Sequence, residues 1–154
     1  LADVLAAMGA QVERTATSTT VVGSGRLRGL GTVDLSDMPD MAQTVAVLAP
    51  FADAPTEVTG VGFIRDHETD RIAAVVSELS RLGVEARATD DGFVVQPGTP
   101  RPGRIATYDD HRMAMSFALV GLRVPGVEIE DPGCVAKTFP GFWGALDGLS
   151  GGSR

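Results

Sequence analysis

The chain has 154 residues, a formal net charge of −7, 44% hydrophobic residues and one cysteine. That length and apolar content suit one folded domain burying roughly two thirds of its unfolded surface, and they exclude disorder. The acidity leaves no overall field to attract nucleic acid or an anionic bilayer, no run approaches the ~18 apolar residues of a membrane span, and a lone Cys134 builds neither an internal disulfide nor a zinc cage.

Leu1, Val4, Leu5 and Met8 recur at helical spacing with Gly9 as a stop, so residues 1–8 read as the end of a helix. Residues 11–14 and 19–22 are short strands with Thr-rich turn chemistry between them, and 32–36 is another. Pro39 suits a first helical turn, and Met41, Val45, Leu48 and Ala49 make one face of a helix ending near Phe51. Residues 57–59 form a strand. Ile72, Val75, Val76, Leu79 and Leu82 give the clearest amphipathic helix, over 68–82 and stopped by Gly83. Strands follow at 84–88, 93–96 and near Ile105, then a helix over 110–122, a strand over 127–130 and a last helix beginning near Pro140. The chain opens at Leu1 inside an amphipathic pattern, which points to a piece of a longer protein.

That order contains a repeat. The stretch from Met8 to Gly25 resembles the stretch from Leu82 to Gly98, and Thr44-Val45-Ala46-Val47-Leu48 resembles Ser116-Phe117-Ala118-Leu119-Val120, at an offset of roughly 72 to 74 residues. Chance likeness in an Ala/Val-rich chain is the alternative. A true repeat implies a β-α-β-α-β-β unit present about twice, and so an α/β architecture of small mixed sheets packed by helices.

Ionisable residues crowd where helices are expected to start. Asp37, Asp70 and Asp110 have an ordinary explanation, since a carboxylate there caps free N–H groups and complements the dipole. Arg71 and Arg112 do not, because the dipole disfavours a cation in the first turn. A phosphate or carboxylate ligand would explain them, helix N-termini being natural anion sites, while for Arg71 a salt bridge to Glu68 or Asp70 is the plainer alternative. With Lys137 near a further expected helix start, the three cations suggest one shared anion-binding face, because helix starts in α/β units lie at the same end of the sheet. His67 and His111 each adjoin one of these arginines, and they lack the ligand spacing of a zinc site. Cys134 reads as a small packing residue. Asp40 and Glu68 are the candidates for proton transfer. No metal and no cofactor are implied.

Three motifs, Arg65-Asp66-His67-Glu68-Thr69-Asp70-Arg71, Tyr108-Asp109-Asp110-His111-Arg112-Met113-Ala114-Met115 and Asp131-Pro132-Gly133-Cys134-Val135-Ala136-Lys137-Thr138-Phe139-Pro140, resemble the carboxy-terminal signatures of the 3-phosphoshikimate 1-carboxyvinyltransferase (5-enolpyruvylshikimate-3-phosphate synthase) family. The resemblance runs from Leu1 to about Leu149. It implies residues 1–149 as part of a carboxy-terminal domain, about two of its three β-α-β-α-β-β copies, with 150–154 as a flexible tail. The family reaction joins phosphoenolpyruvate to the 5-hydroxyl of shikimate 3-phosphate and releases phosphate, in the shikimate pathway of aromatic amino acid biosynthesis.

By the same resemblance, Asp40 is the base that contacts shikimate 3-phosphate, and Glu68 exchanges the proton at C3 of phosphoenolpyruvate. Arg71, Arg112 and Lys137 hold phosphoenolpyruvate, with His111 in the same shell. Two positions depart from the family pattern. His67 stands where a lysine that contacts shikimate 3-phosphate is more common, and Phe63 near where some members carry a substrate-binding asparagine. The amino-terminal signatures are absent, so the resemblance implies a missing amino-terminal domain as partner, inactivity of the chain alone, self-association through uncovered apolar surface, and a cytoplasmic location. The alternatives are the related UDP-N-acetylglucosamine enolpyruvyl transferase, or a non-catalytic binding module such as the carboxy-terminal domain of the bacterial translation initiation factor three. The −7 charge argues against that nucleic-acid module.

Overall fold

A computed structural model describes residues 1–150. The elements run α1 (Ala2–Ala7), β1 (Gln11–Arg14), β2 (Thr19–Val22), β3 (Gly31–Asp34), α2 (Ala42–Leu48), β4 (Thr56–Thr59), α3 (Arg71–Arg81), β5 (Ala86–Ala88), β6 (Phe93–Val95), β7 (Gly103–Ile105), α4 (His111–Gly121), β8 (Val127–Ile129) and α5 (Phe142–Ser150). Of the tail expected over 150–154, Ser150 instead closes α5, and 151–154 lie outside the described residues.

The strands form one sheet of order β3-β4-β6-β5 and two pairs, β1-β2 and β7-β8. Among the described residues only the four-stranded sheet mixes directions: β3 and β4 are parallel, while β6 runs antiparallel to both β4 and β5. The β1-β2 pair is antiparallel and the β7-β8 pair parallel. Strand content therefore matches two β-α-β-α-β-β units, distributed as a complete central unit from β3 to β6, the closing part of another (α1-β1-β2) and the opening part of a third (β7-α4-β8-α5). At Gly92, just before β6, the chain passes so near β4 that a Cβ there would collide with the Val58 carbonyl.

Helix ends follow local chemistry. The strand expected over 32–36 stops at Asp34, whose carboxylate accepts the Ser36 N–H at 2.8 Å and turns the chain. The helix expected between Pro39 and Phe51 is α-helical only over Ala42–Leu48, flanked by 3₁₀ turns at Pro39–Met41 and Ala49–Phe51, each with a proline in its first turn. The helix expected from 68 begins at Arg71, because the Asp70 side chain caps Ala73 N–H at 2.9 Å while residues Gly62–Asp66 form a 3₁₀ turn. It ends as expected at Gly83, whose φ of +79° lets Val84 N–H return to the Leu79 carbonyl, delaying β5 to Ala86. Asp110 caps α4 through the Arg112 N–H at 2.8 Å. Asp37 caps nothing, the first turn there being entered from Met38.

Ile72, Val75 and Leu79 of α3, Val45, Ala46 and Val47 of α2, Met113, Phe117 and Val120 of α4, and Val58, Phe93 and Val95 of the sheet share one core. Because β3 and β4 are parallel, the helices that follow them start at the same end of the sheet, and packing of α2 against α4 brings the start of α4 to that end as well. Among the described residues no helix is long and apolar enough to cross a membrane.

Candidate active site

Around the helix starts a cavity of about 620 Å³ is lined by Asp40, His67, Glu68, Arg71, His111, Arg112, Lys137 and Thr138. The seven residues to which the resemblance gives a place in the site, Asp40, His67, Glu68, Arg71, His111, Arg112 and Lys137, all border it. Asp40 comes from the 3₁₀ turn leading into α2, His67 and Glu68 from the loop before α3, Arg71 from the first residue of α3, and His111 and Arg112 from the start of α4. Lys137 arrives differently from expectation. It ends a 3₁₀ turn over Pro132–Lys137, well before α5 begins at Phe142, so no helix N-terminus presents it. That turn is entered through Asp131 in the left-handed region, φ +45°, and Trp143 Nε1 donates to the Pro132 carbonyl at 2.9 Å.

Arg71 is the centre of the arrangement. Its side chain is 2% exposed. Nε donates to Asp110 Oδ2 at 2.7 Å, Nη1 to Asp40 Oδ1 at 3.2 Å and His67 Nδ1 at 2.9 Å, and Nη2 to Glu68 Oε2 at 2.9 Å and Asp110 Oδ1 at 3.5 Å. These five contacts use all five N–H groups of a guanidinium. Since arginine has nothing to accept with, His67 Nδ1 is the acceptor and its ring carries the proton on Nε2. Of the two plainer partners read from the sequence, Glu68 takes Arg71, while Asp70 is taken by Arg65 at 3.0 Å.

The two outer cations each meet one of the same carboxylates. Arg112 Nη2 lies 2.7 Å from Asp40 Oδ2, and Lys137 Nζ lies 3.2 Å from Glu68 Oε1. The result is a string of alternating charge, Arg112, Asp40, Arg71, Glu68, Lys137, backed by the fully buried Asp110. Glu68 is held well below its ordinary value, at about 2, chiefly by its own backbone N–H, then by the Lys137 hydrogen bond, with the Arg71 charge adding to both. It is therefore a carboxylate at neutral pH. His111 is buried, and its Nδ1 has no hydrogen-bond partner among the described residues. The Phe63 ring meets the His67 ring edge-on, 5.9 Å between centroids, so the two departures from the family pattern touch one another.

Asp110 was legible in the sequence only as a cap. It does cap, but its other oxygen makes the shortest bond to Arg71, and the available signal was that a capping carboxylate has a second oxygen to place. Cys134 is partly buried, and burial pushes its thiol above the ordinary range, which suits packing rather than nucleophilic chemistry.

The family model for EPSP synthase (3-phosphoshikimate 1-carboxyvinyltransferase) matches residues 1–146. A 3-phosphoshikimate 1-carboxyvinyltransferase of Nostoc punctiforme is 48% identical over 141 residues, covering 92% of this chain and 33% of the relative. The protein of that name from Syntrophobacter fumaroxidans is 46% identical over 149 residues, 95% of this chain and 35% of its own. Among solved structures, EPSP synthase from Acinetobacter baumannii superimposes with a TM-score of 0.83 at 28% identity, covering 94% of this chain and 37% of that one. The enolpyruvyl transferase NikO from Streptomyces tendae shares the fold, with a TM-score of 0.77 at 23% identity over 96% of this chain and 34% of its own. The chain spans about a third of the length of the curated relatives it matches. With a family match over nearly its whole length, this chain belongs to the EPSP synthase (3-phosphoshikimate 1-carboxyvinyltransferase) family.

Proposed function

We propose that the chain is the carboxy-terminal part of an enolpyruvyl transferase that joins phosphoenolpyruvate to the 5-hydroxyl of shikimate 3-phosphate, and that residues 1–149 contribute one wall of its active site. The observation that carries this is the alternating string of three cations and two carboxylates around one cavity. Gripping a substrate with a carboxylate and a phosphate needs several convergent cations, and moving its protons needs carboxylates beside them.

In the proposed reaction Asp40 takes the proton of the 5-hydroxyl as that oxygen attacks C2 of phosphoenolpyruvate, while Glu68 gives a proton to C3. The tetrahedral adduct then expels phosphate as Glu68 takes the C3 proton back. Arg112 and Lys137 are the accessible cations and meet the substrate anions first. Their transfer to substrate oxygens frees Asp40 and Glu68, and loss of the Lys137 bond raises the Glu68 pKa toward a range where it can carry a proton. Arg71, freed of those two carboxylates on its outer N–H groups, completes the grip while Asp110 holds its Nε. His67 flanks the shikimate 3-phosphate side and His111 borders phosphoenolpyruvate.

An amino-terminal domain is the required partner, the setting is cytoplasmic, and the isolated chain is inactive and self-associates. The uncovered groove of about 670 Å³ beside β8 and α5, bordered by Leu122, Val127, Ile129 and Trp143, supports the last point. The test is phosphate release from phosphoenolpyruvate and shikimate 3-phosphate, expected at background for the chain alone and restored when the amino-terminal part of a relative is supplied. Turnover by the chain alone overturns the inactivity, and no turnover with either arrangement overturns the function. Sedimentation at high concentration is expected to show species larger than a monomer.

A further inference from the structure

Two turns along α3 from Arg71, on the same face, Glu78 is completely buried. Its Oε1 accepts the Tyr108 hydroxyl at 2.7 Å and its Oε2 the Ala106 N–H at 3.1 Å, with Arg81 Nη1 at 3.6 Å on the solvent side. Tyr108 and Asp109 are consecutive non-glycine residues in the left-handed region, φ +56° and +55°, a conformation that persists only where the surroundings impose it. Tyr108 is 40% exposed, so packing alone does not hold it. The next residue is Asp110, the buried partner of Arg71 and cap of α4, followed by His111 and Arg112. Glu78 and Arg71 thus grip the two ends of one strained segment from a single helix face.

We propose that Glu78 is a positioning residue, which through the Tyr108 hydroxyl and the Ala106 N–H imposes the left-handed turn that delivers Asp110 to Arg71 and Arg112 to the cavity. Its relevance to catalysis rests on the proposed function, whereas its geometry does not. A buried carboxylate is costly unless each oxygen is satisfied, so the two donors of this segment answer a demand set by α3. Burial and the Glu78 bond push the Tyr108 phenol above its ordinary value, in keeping with a hydroxyl that donates to a carboxylate.

Tyr108 is the only tyrosine in the chain, so its alkaline absorbance titration reads this bond directly. Glu78→Gln is expected to lower that midpoint. Transmission is read from the Arg71 Nε–H signal in ¹⁵N NMR, assigned by its loss in Arg71→Lys. Tyr108→Phe and Glu78→Gln are each expected to speed exchange of that proton about tenfold or more while backbone amides of α3 keep their rates, since a local opening is selective and a global one is not. Unchanged Arg71 exchange in both variants overturns the proposal, as does parallel acceleration of Arg71 and the α3 amides. If Tyr108→Phe fails to fold, Glu78→Gln decides by the same readout. Phosphoenolpyruvate titration of the same samples, followed by ³¹P NMR with the amino-terminal part of a relative added, tests the proposed function separately. Absent binding there refutes that function and leaves the exchange result to decide the inference.

Discussion

Thr44 Oγ1 and Ser116 Oγ, 72 residues apart in the chain, share a hydrogen bond of 3.2 Å where α2 packs on α4. The repeat read from the sequence aligns these same two residues, so equivalent positions of successive units touch where their helices pack. A hydroxyl pair at a partly buried helix contact contributes about 0.5–1.5 kcal/mol. A double-mutant cycle of Thr44→Val and Ser116→Ala, read by urea unfolding, is expected to show a coupling of that order. Strict additivity would show that the pair is merely adjacent.

Arg71 and Arg112 both contact Asp40, yet their removal should differ. Arg71→Met strands Asp110, which is fully buried, and loss of one partner of a buried pair costs about 3–5 kcal/mol. Arg112→Met leaves Asp40, 45% exposed, to be solvated, and a pair of that kind contributes about 0–1 kcal/mol. Unfolding midpoints in urea check the order, and equal losses would contradict the burial argument.

Glu68 gives the acid side of the stability profile. Its pKa is lowered on folding, from 4.5 to about 2, so its stabilising contribution is complete above the unfolded value and is lost as pH falls through the folded one. Lys137→Ala removes one of the two hydrogen bonds responsible, and the Glu68 carboxyl carbon, followed by ¹³C NMR, should then titrate at a higher pH. An unmoved midpoint would assign the whole depression to the backbone N–H and the Arg71 charge.

Gly92→Ala drives a methyl group into the Val58 carbonyl between β4 and β6, where backbone rather than a flexible side chain must yield. Overpacking of this kind typically costs about 1–3 kcal/mol. A lowered thermal midpoint is expected, and full retention of stability would mean that the central sheet opens there without loss.

What the sequence made legible was periodic or sterically coded. The α3 face from Ile72 to Leu79, the stop at Gly83 and the strands at Gln11–Arg14 and Thr19–Val22 all follow from spacing and turn residues. The 3₁₀ turns at Gly62–Asp66 and Pro132–Lys137 were not, because one turn has no period to detect, and they carry Glu68 and Lys137 into place. Arg71 and Arg112 stood out as cations where a helix dipole disfavours them, and the roles of the other site residues came from motif likeness. Their pairing was hidden. Only the local Glu68 partner was open to reading; the Asp40 and Asp110 contacts of Arg71 join positions 31 and 39 residues away, which nothing along the chain pairs.

The salt bridge between Asp40 and Arg112 spans the same 72-residue interval as Thr44 and Ser116. Equivalent positions of the repeat therefore face each other with opposite sign. Two identical ionised side chains at these positions would stand as like charges in contact and resist the approach of one unit to the other. The unlike pair instead makes the seam between units self-adhesive, so the contact that orders the cavity wall is one the repeat could not make with matched residues.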